Sequence, residues 1–303
     1  TTRTWDTGHG LEFDVVDVFT SVPFAGNGLA VVYGAEQLKS HQLQSIAREF
    51  NLSETAFPVL GGVDGDEAVD YRIRIFTPET ELPFAGHPSV GSAWSLCRHG
   101  LLQPGRLRQG CSAGVVTVEV GGADDEVWLT GRPPRIGGEI DPTPALTAVG
   151  LSPGDQVGLR PLIAGAGLDF YFLFVRPGSI ARAVPDLQQL RQLRAHGPDL
   201  GGVAIVGWHD DTARVRVFTD DIGATEDPAT GSAALALGAV LVDAGLLAPE
   251  GTSAFTVRQG IELGRPSTLH GQVDAREGTA VSCRVGGNVV PVAHDAIAVP
   301  PRT

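Results

Sequence analysis

Methionine is absent from all 303 residues, and the expectation is that the initiator was removed or precedes Thr1. Lysine is nearly absent too. Lys39 is the only one and lies in a polar stretch, which leaves a Schiff-base mechanism a single, poorly placed candidate. Positive charge as a whole is scarce: 22 basic against 35 acidic residues give a net charge of −13. With no basic stripe to neutralise phosphates, nucleic acid is excluded as a partner. Cysteine is limited to Cys97, Cys111 and Cys283, which have no metal-type spacing and leave one thiol over in any disulfide scheme. They read as reduced. No apolar run approaches a membrane span and no signal peptide is visible at the N-terminus, so no membrane partner and a cytoplasmic location are expected. Gly26-Asn27-Gly28 and the Gly86 to Gly91 stretch lack the full Gly-rich fingerprint with a following acidic residue, which discounts NAD and ATP.

Hydrophobic residues make up 42% of the chain, and 40 glycines accompany them, a balance that suits a strand-rich globular protein long enough for two domains. The chain says nearly the same thing twice. Gly86-His87-Pro88-Ser89-Val90-Gly91-Ser92-Ala93 is echoed by Glu226-Asp227-Pro228-Ala229-Thr230-Gly231-Ser232-Ala233 at an offset of 140, and Arg74-Ile75-Phe76-Thr77 by Arg216-Val217-Phe218-Thr219 at 142. Each copy reads as a strand, a short connection, a turn led by X-Pro and an apolar helix, which predicts two related lobes. On this alignment a titratable residue sits at the same place in each turn, His87 in one and Asp227 in the other. Two helix N-termini facing each other would suit an anionic substrate. The alternative is a pair of ordinary strand-turn-helix corners, alike through ancestry alone.

Along the chain, residues 1–10 read as polar and frayed. Strands are predicted near 13–19, 29–33, 56–60 and 71–77, with a turn at 24–28 and a helix over about 41–50 capped by Ser40. The first apolar helix runs from Pro88 to Leu96. A hairpin follows, 115–120 with 126–130, and the Gly/Pro-rich stretch 131–144 marks the lobe boundary. The second lobe reads as a short helix near 144–149, strands near 157–164 and 169–175, a helix over about 186–195, and strands near 202–207 and 213–218. The second apolar helix spans about 229–244 and stops at Gly245. Strands then continue to the end, with turns at Gly260, Gly271, Gly278 and Gly286-Gly287. Two bent sheets, each wrapped around one apolar helix, account for the pattern; so would two separate α+β sandwiches.

Four side chains fall at special positions: Glu54, His87, Asp227 and Ser232. Glu54 lies between a helix end and a strand in an apolar context, where desolvation favours the protonated form and equips it for proton transfer. It reads equally as a solvated loop carboxylate. His87 is a proton relay or a hydrogen-bonded turn residue. Asp227 by propensity is the N-cap of the second helix, and Ser232 by itself is a small helix residue outside any nucleophile-elbow motif. No metal-ligand motif appears.

Six segments together resemble the PhzF-like phenazine-biosynthesis family of the diaminopimelate-epimerase superfamily. They are Asp17-Val18-Phe19-Thr20, Phe24-Ala25-Gly26-Asn27, Asn51-Leu52-Ser53-Glu54-Thr55, the run from Arg74 to Pro88, Glu226 to Ala234, and Gly264-Arg265-Pro266-Ser267. The resemblance implies an α+β fold of two similar lobes, each a β-barrel-like roll around a central apolar helix, with the active site in a cleft between them. The first lobe would span residues 1–135, completed by a C-terminal strand over about 290–303, and the second 136–289. It also implies Glu54 as general acid/base with His87, Asp227 and Ser232 completing the site, and Asn27, Gly86, Pro88, Thr230 and Gly231 holding the substrate. Members of the family need no cofactor or metal, are commonly homodimers, and shift a double bond in a small carboxylate-bearing substrate. Gly28, where a proline is usual, and Asp220-Asp221, after Phe218-Thr219, depart from the pattern and bear on the substrate. Related epimerases carry a cysteine in each Gly-rich turn; neither turn has one here, which favours one carboxylic acid/base over two thiols. An epimerase or racemase of a small amino acid derivative, and a non-catalytic binding protein, are the competing readings.

Overall fold

The computed structural model describes residues 10–121, 126–195, 200–220 and 225–302. The frayed segment expected at 1–10 therefore lies, but for Gly10, outside the described residues. The chain divides into two compact units, residues 1–129 with 286–303, and residues 130–285.

The first unit contains β1 (Leu11–Val18), β2 (Asn27–Val32), α1 (Ser40–Phe50), β3 (Glu54–Leu60), a small ribbon of β4 (Val63–Asp64) and β5 (Glu67–Ala68), and β6 (Tyr71–Phe76). β7 (Glu81–Leu82), α2 (Gly86–Arg98), β8 (Gly105–Cys111), β9 (Gly114–Val120) and β10 (Val127–Thr130) follow. The second contains β11 (Arg135–Glu139), α3 (Thr143–Ala148), β12 (Leu162–Gly165), β13 (Asp169–Phe174), α4 (Pro177–Ile180), α5 (Leu187–Arg194), β14 (Leu200–His209) and β15 (Thr212–Phe218). It continues through β16 (Glu226–Asp227), α6 (Gly231–Asp243), β17 (Gly251–Gln259), β18 (Ser267–Arg276) and β19 (Thr279–Gly287). β20 (Val289–Ile297) then pairs antiparallel with β1 and belongs to the first unit.

The two units repeat strand for strand. In the first, β1 meets β2 antiparallel, β2 meets β3 parallel, β3 meets β6 antiparallel, β6 meets β8 parallel and β8 meets β9 antiparallel. In the second the same succession runs through β12, β13, β14, β15, β17 and β18. Each bent sheet encloses one helix without a polar face: α2, with Val90, Ala93 and Leu96 buried, and α6, buried from Gly231 to Val242. An apolar helix can lie only where no face meets water, so each sheet is obliged to curl around it. Outside the sheets the helices are amphipathic. α1 sets Leu43, Ile46 and Ala47 against Phe57 and Phe76, while α3 and α5 cover Val203 and Phe218. Both units are thus α+β rolls around a central apolar helix.

The echo itself has a different register from the one the residues first offer. β7 and β16 are two-residue strands, each separated by three residues from a 13-residue helix. Glu81-Leu82-Pro83-Phe84-Ala85-Gly86-His87 therefore matches Glu226-Asp227-Pro228-Ala229-Thr230-Gly231-Ser232, an offset of 145. The shared Glu-x-Pro-x-x-Gly carries the repeat down to its contacts. Arg74 Nε and Nη2 donate to Glu81 at 2.7 and 2.6 Å and the guanidinium lies 5.1 Å from the Phe76 ring. Arg216 Nε and Nη2 donate to Glu226 at 2.8 and 2.7 Å, 4.8 Å from Phe218. His87 and Asp227 are consequently not equivalent. His87 is the second residue of α2 and matches Ser232, whereas Asp227 lies in β16 and matches Leu82.

Four local expectations are corrected. Ser40 does not cap α1: Lys39 is the cap residue, its N–H donating to Gln42 Oε1 at 3.1 Å, while Ser40 Oγ accepts from Arg74. The region near 157 is not a strand but follows a short 3-10 turn, Pro153–Asp155, and β12 begins only at Leu162. Gly271 is inside β18 rather than in a turn; the Phe255 ring covers it, with a Cβ there falling 2.2 Å from Cζ. β9 pairs with β10 as expected, but its tight-hairpin partner is β8, whose Arg106, Arg108 and Gln109 disguise it.

Candidate active site

Each unit presents one constellation, and the two are described separately. In the first, α1 ends where Asn51 adopts the left-handed conformation (φ 51°), its N–H donating to the Ala47 carbonyl. That break turns the chain so that Glu54 opens β3 opposite Leu29 of β2, and Glu54 is buried, with 7% of its surface exposed. His87, in the first turn of α2 and 3% exposed, places Nε2 at 3.3 Å from Glu54 Oε2. Its Nδ1 lies 3.3 Å from Nδ2 of Asn27, which is fully buried and whose Oδ1 accepts from Ser53 Oγ at 3.1 Å. Gly86 and Pro88, first and third residues of α2, are buried beside it.

Burial lowers the pKa of His87 to about 3, outweighing a hydrogen bond to the backbone carbonyl of Gly28 that acts the other way. The imidazole is therefore neutral at ordinary pH, with one donor and one acceptor nitrogen. Without a hydrogen on Nε2 the ring faces a protonated Glu54; with one it faces the carboxylate. The pair thus brings a carboxyl group and a neutral imidazole within 3.3 Å in a buried site, an arrangement suited to general acid/base chemistry.

The position of α2 is fixed from below by a buried chain of hydrogen bonds. Tyr71 donates to Gln109 Oε1 at 2.7 Å, Gln109 Nε2 to Ser89 Oγ at 2.8 Å, and Ser89 Oγ to the Ala85 carbonyl at 2.8 Å. Ala85 is the residue before the helix, so this chain sets where Gly86 and His87 begin it.

In the second unit, Asp227 in β16 accepts from Thr230 Oγ1 at 2.6 Å. Gln259 fastens the turn: its Nε2 donates to the Asp227 carbonyl at 2.8 Å and to Thr230 Oγ1 at 3.0 Å, and its Oε1 accepts from Thr230 N–H at 3.1 Å. Asp227 is not the N-cap of α6. Thr230 holds that position, Gly231 begins the helix and Ser232, 4% exposed, is its second residue. Neither cap residue, Ala85 or Thr230, gives its helix a side-chain acceptor, so first-turn N–H groups in both helices keep capacity for an anion.

Of the residues expected in one site, Glu54, His87 and Asn27 lie together in the first unit, and Asp227, Thr230, Gly231 and Ser232 in the second. Sequence reasoning missed Ser53 and Gln259, which orient Asn27 and Asp227. Ser53 adjoins Glu54, and its position was the available signal; nothing local distinguishes Gln259. Gly28 lies in β2 opposite Asp17 rather than in the preceding turn. Asp220 is met by Arg194 at 3.3 Å and Arg191 at 4.0 Å, which offsets the charge it adds, while Asp221 lies outside the described residues. The three cysteines are free thiols, and burial pushes Cys97 up to about 11 and Cys283 up to about 12. Neither supplies a thiolate near neutrality. Among the described residues no helix is long and apolar enough to cross a membrane.

Comparison with known proteins agrees over nearly the whole length. The family model for phenazine biosynthesis-like proteins, PhzC-PhzF, matches residues 16–295. The trans-2,3-dihydro-3-hydroxyanthranilate isomerase of Pseudomonas fluorescens is 33% identical over 295 residues, covering 93% of this chain and 98% of the relative. The solved structure of a predicted epimerase from Pseudomonas aeruginosa is 32% identical, covers 95% of this chain and 99% of its own, and superposes with a TM-score of 0.76. The crystal structure of a PhzF-family phenazine biosynthesis protein from Bacillus anthracis, at 22% identity and the same coverages of 95% and 99%, reaches a TM-score of 0.83 and shares the fold.

Proposed function

The chain belongs to the PhzC-PhzF, phenazine biosynthesis-like family and is an isomerase; on that premise we propose that it acts without a cofactor, shifting a proton across a small, carboxylate-bearing, amino-acid-derived substrate. The observation that carries this reading is the buried pair of Glu54 and a histidine too desolvated to hold a charge, 3.3 Å apart. Glu54 removes the proton and returns it at the new position. His87 stays neutral and sets which oxygen of Glu54 is protonated, with Asn27 holding the ring. Asp227, Ser232 and Thr230 orient the substrate, and N–H groups at Gly86, Gly231 and Ser232 hold its carboxylate through charge-assisted hydrogen bonds, each contributing about 1.5–3 kcal/mol. A cytoplasmic homodimer is part of the same proposal.

The test is incubation in D2O with trans-2,3-dihydro-3-hydroxyanthranilate, the compound in the name of the Pseudomonas fluorescens relative, and with a panel of amino-acid-derived carboxylic acids. Turnover of one of them with deuterium gained at one carbon in part of the product is the expected result. Binding without hydrogen exchange across the panel would leave a non-catalytic binding protein. An epimerase is the second reading, favoured by the likeness to the predicted epimerase from Pseudomonas aeruginosa; a product of inverted configuration with its double bonds unmoved would establish it.

A further inference from the structure

A second cluster of titratable groups lies within the first unit and takes no part in this chemistry. Asp14 of β1 is buried, 6% exposed, yet faces two histidines brought from distant parts of the chain. His99, at the C-terminal end of α2, sets Nε2 2.8 Å from Asp14 Oδ2, and His294 of β20 sets Nδ1 2.8 Å from Asp14 Oδ1. One donor atom from each of the three falls within 4.8 Å of the others. We propose that Asp14, His99 and His294 form a binding site for a divalent first-row transition cation of the zinc type, structural rather than catalytic.

Three observations support a metal over a plain hydrogen-bonded cluster. The donor set is two imidazoles and one carboxylate, which suits zinc and leaves a fourth position for water. The donors are also held from behind. Tyr33 Oη donates to Asp14 Oδ2 at 2.7 Å, and Glu12 Oε2 lies 3.9 Å from Nε2 of His294, on the side of the ring away from Asp14. At that distance Glu12 makes no hydrogen bond to the ring and acts on it through its negative charge, which favours a bound cation. Finally the site is reachable, since the His294 side chain is 45% exposed while that of Asp14 is only 8% exposed. A cation here would tie together β1, β20 and the end of α2, three segments separated by up to 280 positions along the chain.

Spacing along the sequence gave no hint of this, because residues 14, 99 and 294 form no local motif. The expectation of no metal was drawn from local motifs alone.

The full-length protein, stripped with a chelator and then dialysed, is titrated with ZnCl2 by calorimetry, with MgCl2 as the hard-cation control. The expected result is saturation at one zinc per chain, no heat with magnesium, and a melting temperature that rises with free zinc. His294→Gln, on a half-exposed side chain, should abolish the event and remove the zinc-dependent rise in melting temperature. Glu12→Gln, which removes a nearby charge and no hydrogen bond to the ring, should weaken affinity by less than His294→Gln does. Cobalt(II) loading should give visible absorption bands that His294→Gln lacks. Failure to saturate at one per chain, or a binding curve unchanged in His294→Gln, would overturn the site and leave Asp14 as a hydrogen-bonded hub only.

Discussion

The pair Arg216–Glu226 and its counterpart Arg74–Glu81 have the same fork geometry at equivalent places in the two repeats, but not the same environment. The side chains of Arg216 and Glu226 are 7% and 6% exposed, those of Arg74 and Glu81 38% and 33%. Truncating Glu226 to alanine leaves a buried guanidinium whose next carboxylate, Glu262 Oε2, stands 3.9 Å from Nε, beyond hydrogen-bonding distance. Removing one partner of a buried pair costs about 3–5 kcal/mol. Arg216 Nη1 still donates to the carbonyls of Ile180 and Ala183, both at 2.9 Å, so the arginine is held in place rather than released to water. Glu81→Ala breaks a pair open to solvent, worth about 0.2–1 kcal/mol. The same chemical change should therefore differ by about 3 kcal/mol between the copies. Urea unfolding followed by tryptophan fluorescence measures it, with Trp208 reporting the second unit and Trp94 and Trp128 the first. Equal losses, or a larger one at Glu81, would refute the assignment of the cost to desolvation. A double variant, Arg216→Met with Glu226→Leu, should recover part of the loss, because it removes both charges but leaves two carbonyls without their donor.

Glu54→Gln should keep folding and ligand affinity while lowering turnover about a hundred- to ten-thousandfold; turnover within a few-fold of the parent enzyme would remove Glu54 as the base. His87 predicts acid lability. Its folded pKa, about 3, is depressed below the unfolded value of about 6.5, so between these values the unfolded chain binds a proton that the folded chain does not. Stability should fall as pH drops through that window, by up to about 1.4 kcal/mol per pH unit, and His87→Asn should show a shallower slope in urea titrations at pH 7, 6 and 5. Turnover near room temperature should survive a chelator and exhaustive dialysis, since no metal is assigned to the proton shift, while the melting temperature falls in the same sample.

The central helices were legible because an apolar run with no polar face has only one place to go, and α2 and α6 begin within a few residues of where Pro88 and Ala229 suggested. The outer helix α1 was legible from Leu43, Ile46 and Ala47. β8 was not, since Arg106, Arg108 and Gln109 interrupt the apolar alternation, and Gln109 earns its burial only through Tyr71 and Ser89. The site was legible in its residue types and misaligned in its geometry. The likeness of His87-Pro88 to Asp227-Pro228, and of Gly-Ser-Ala in both runs, concealed the true frame, Glu-x-Pro-x-x-Gly, which only the strand pairing and helix starts reveal.

That frame bears on the stereochemistry of the reaction. Thr55 pairs with Phe76 in the first copy and Val203 with Phe218 in the second, so one residue earlier Glu54 is matched by Gly202. Gly202 has a φ of 141°, and a Cβ there would stand 2.2 Å from the Phe218 carbonyl oxygen, so the second copy has no room for a carboxylate at that place. His87 is matched by Ser232, and Asp227 by Leu82, which leaves the second unit without a counterpart to the Glu54–His87 pair. A symmetric frame thus carries a one-sided proton apparatus. If a single buried group both removes and returns the proton, the proton leaves and comes back on one face of the substrate, and exchange with water competes with return. Substrate deuterated at the departing position and turned over in H2O should then give product that retains a measurable fraction of label at the new carbon, read by mass spectrometry in the first few per cent of conversion. The retained fraction should fall in His87→Asn, where Glu54 loses the imidazole that covers it and water reaches the carboxyl more readily. Label lost completely from the first turnovers, with the incoming hydrogen always from water, would mean that a second acid delivers the proton and that the one-sided reading is wrong.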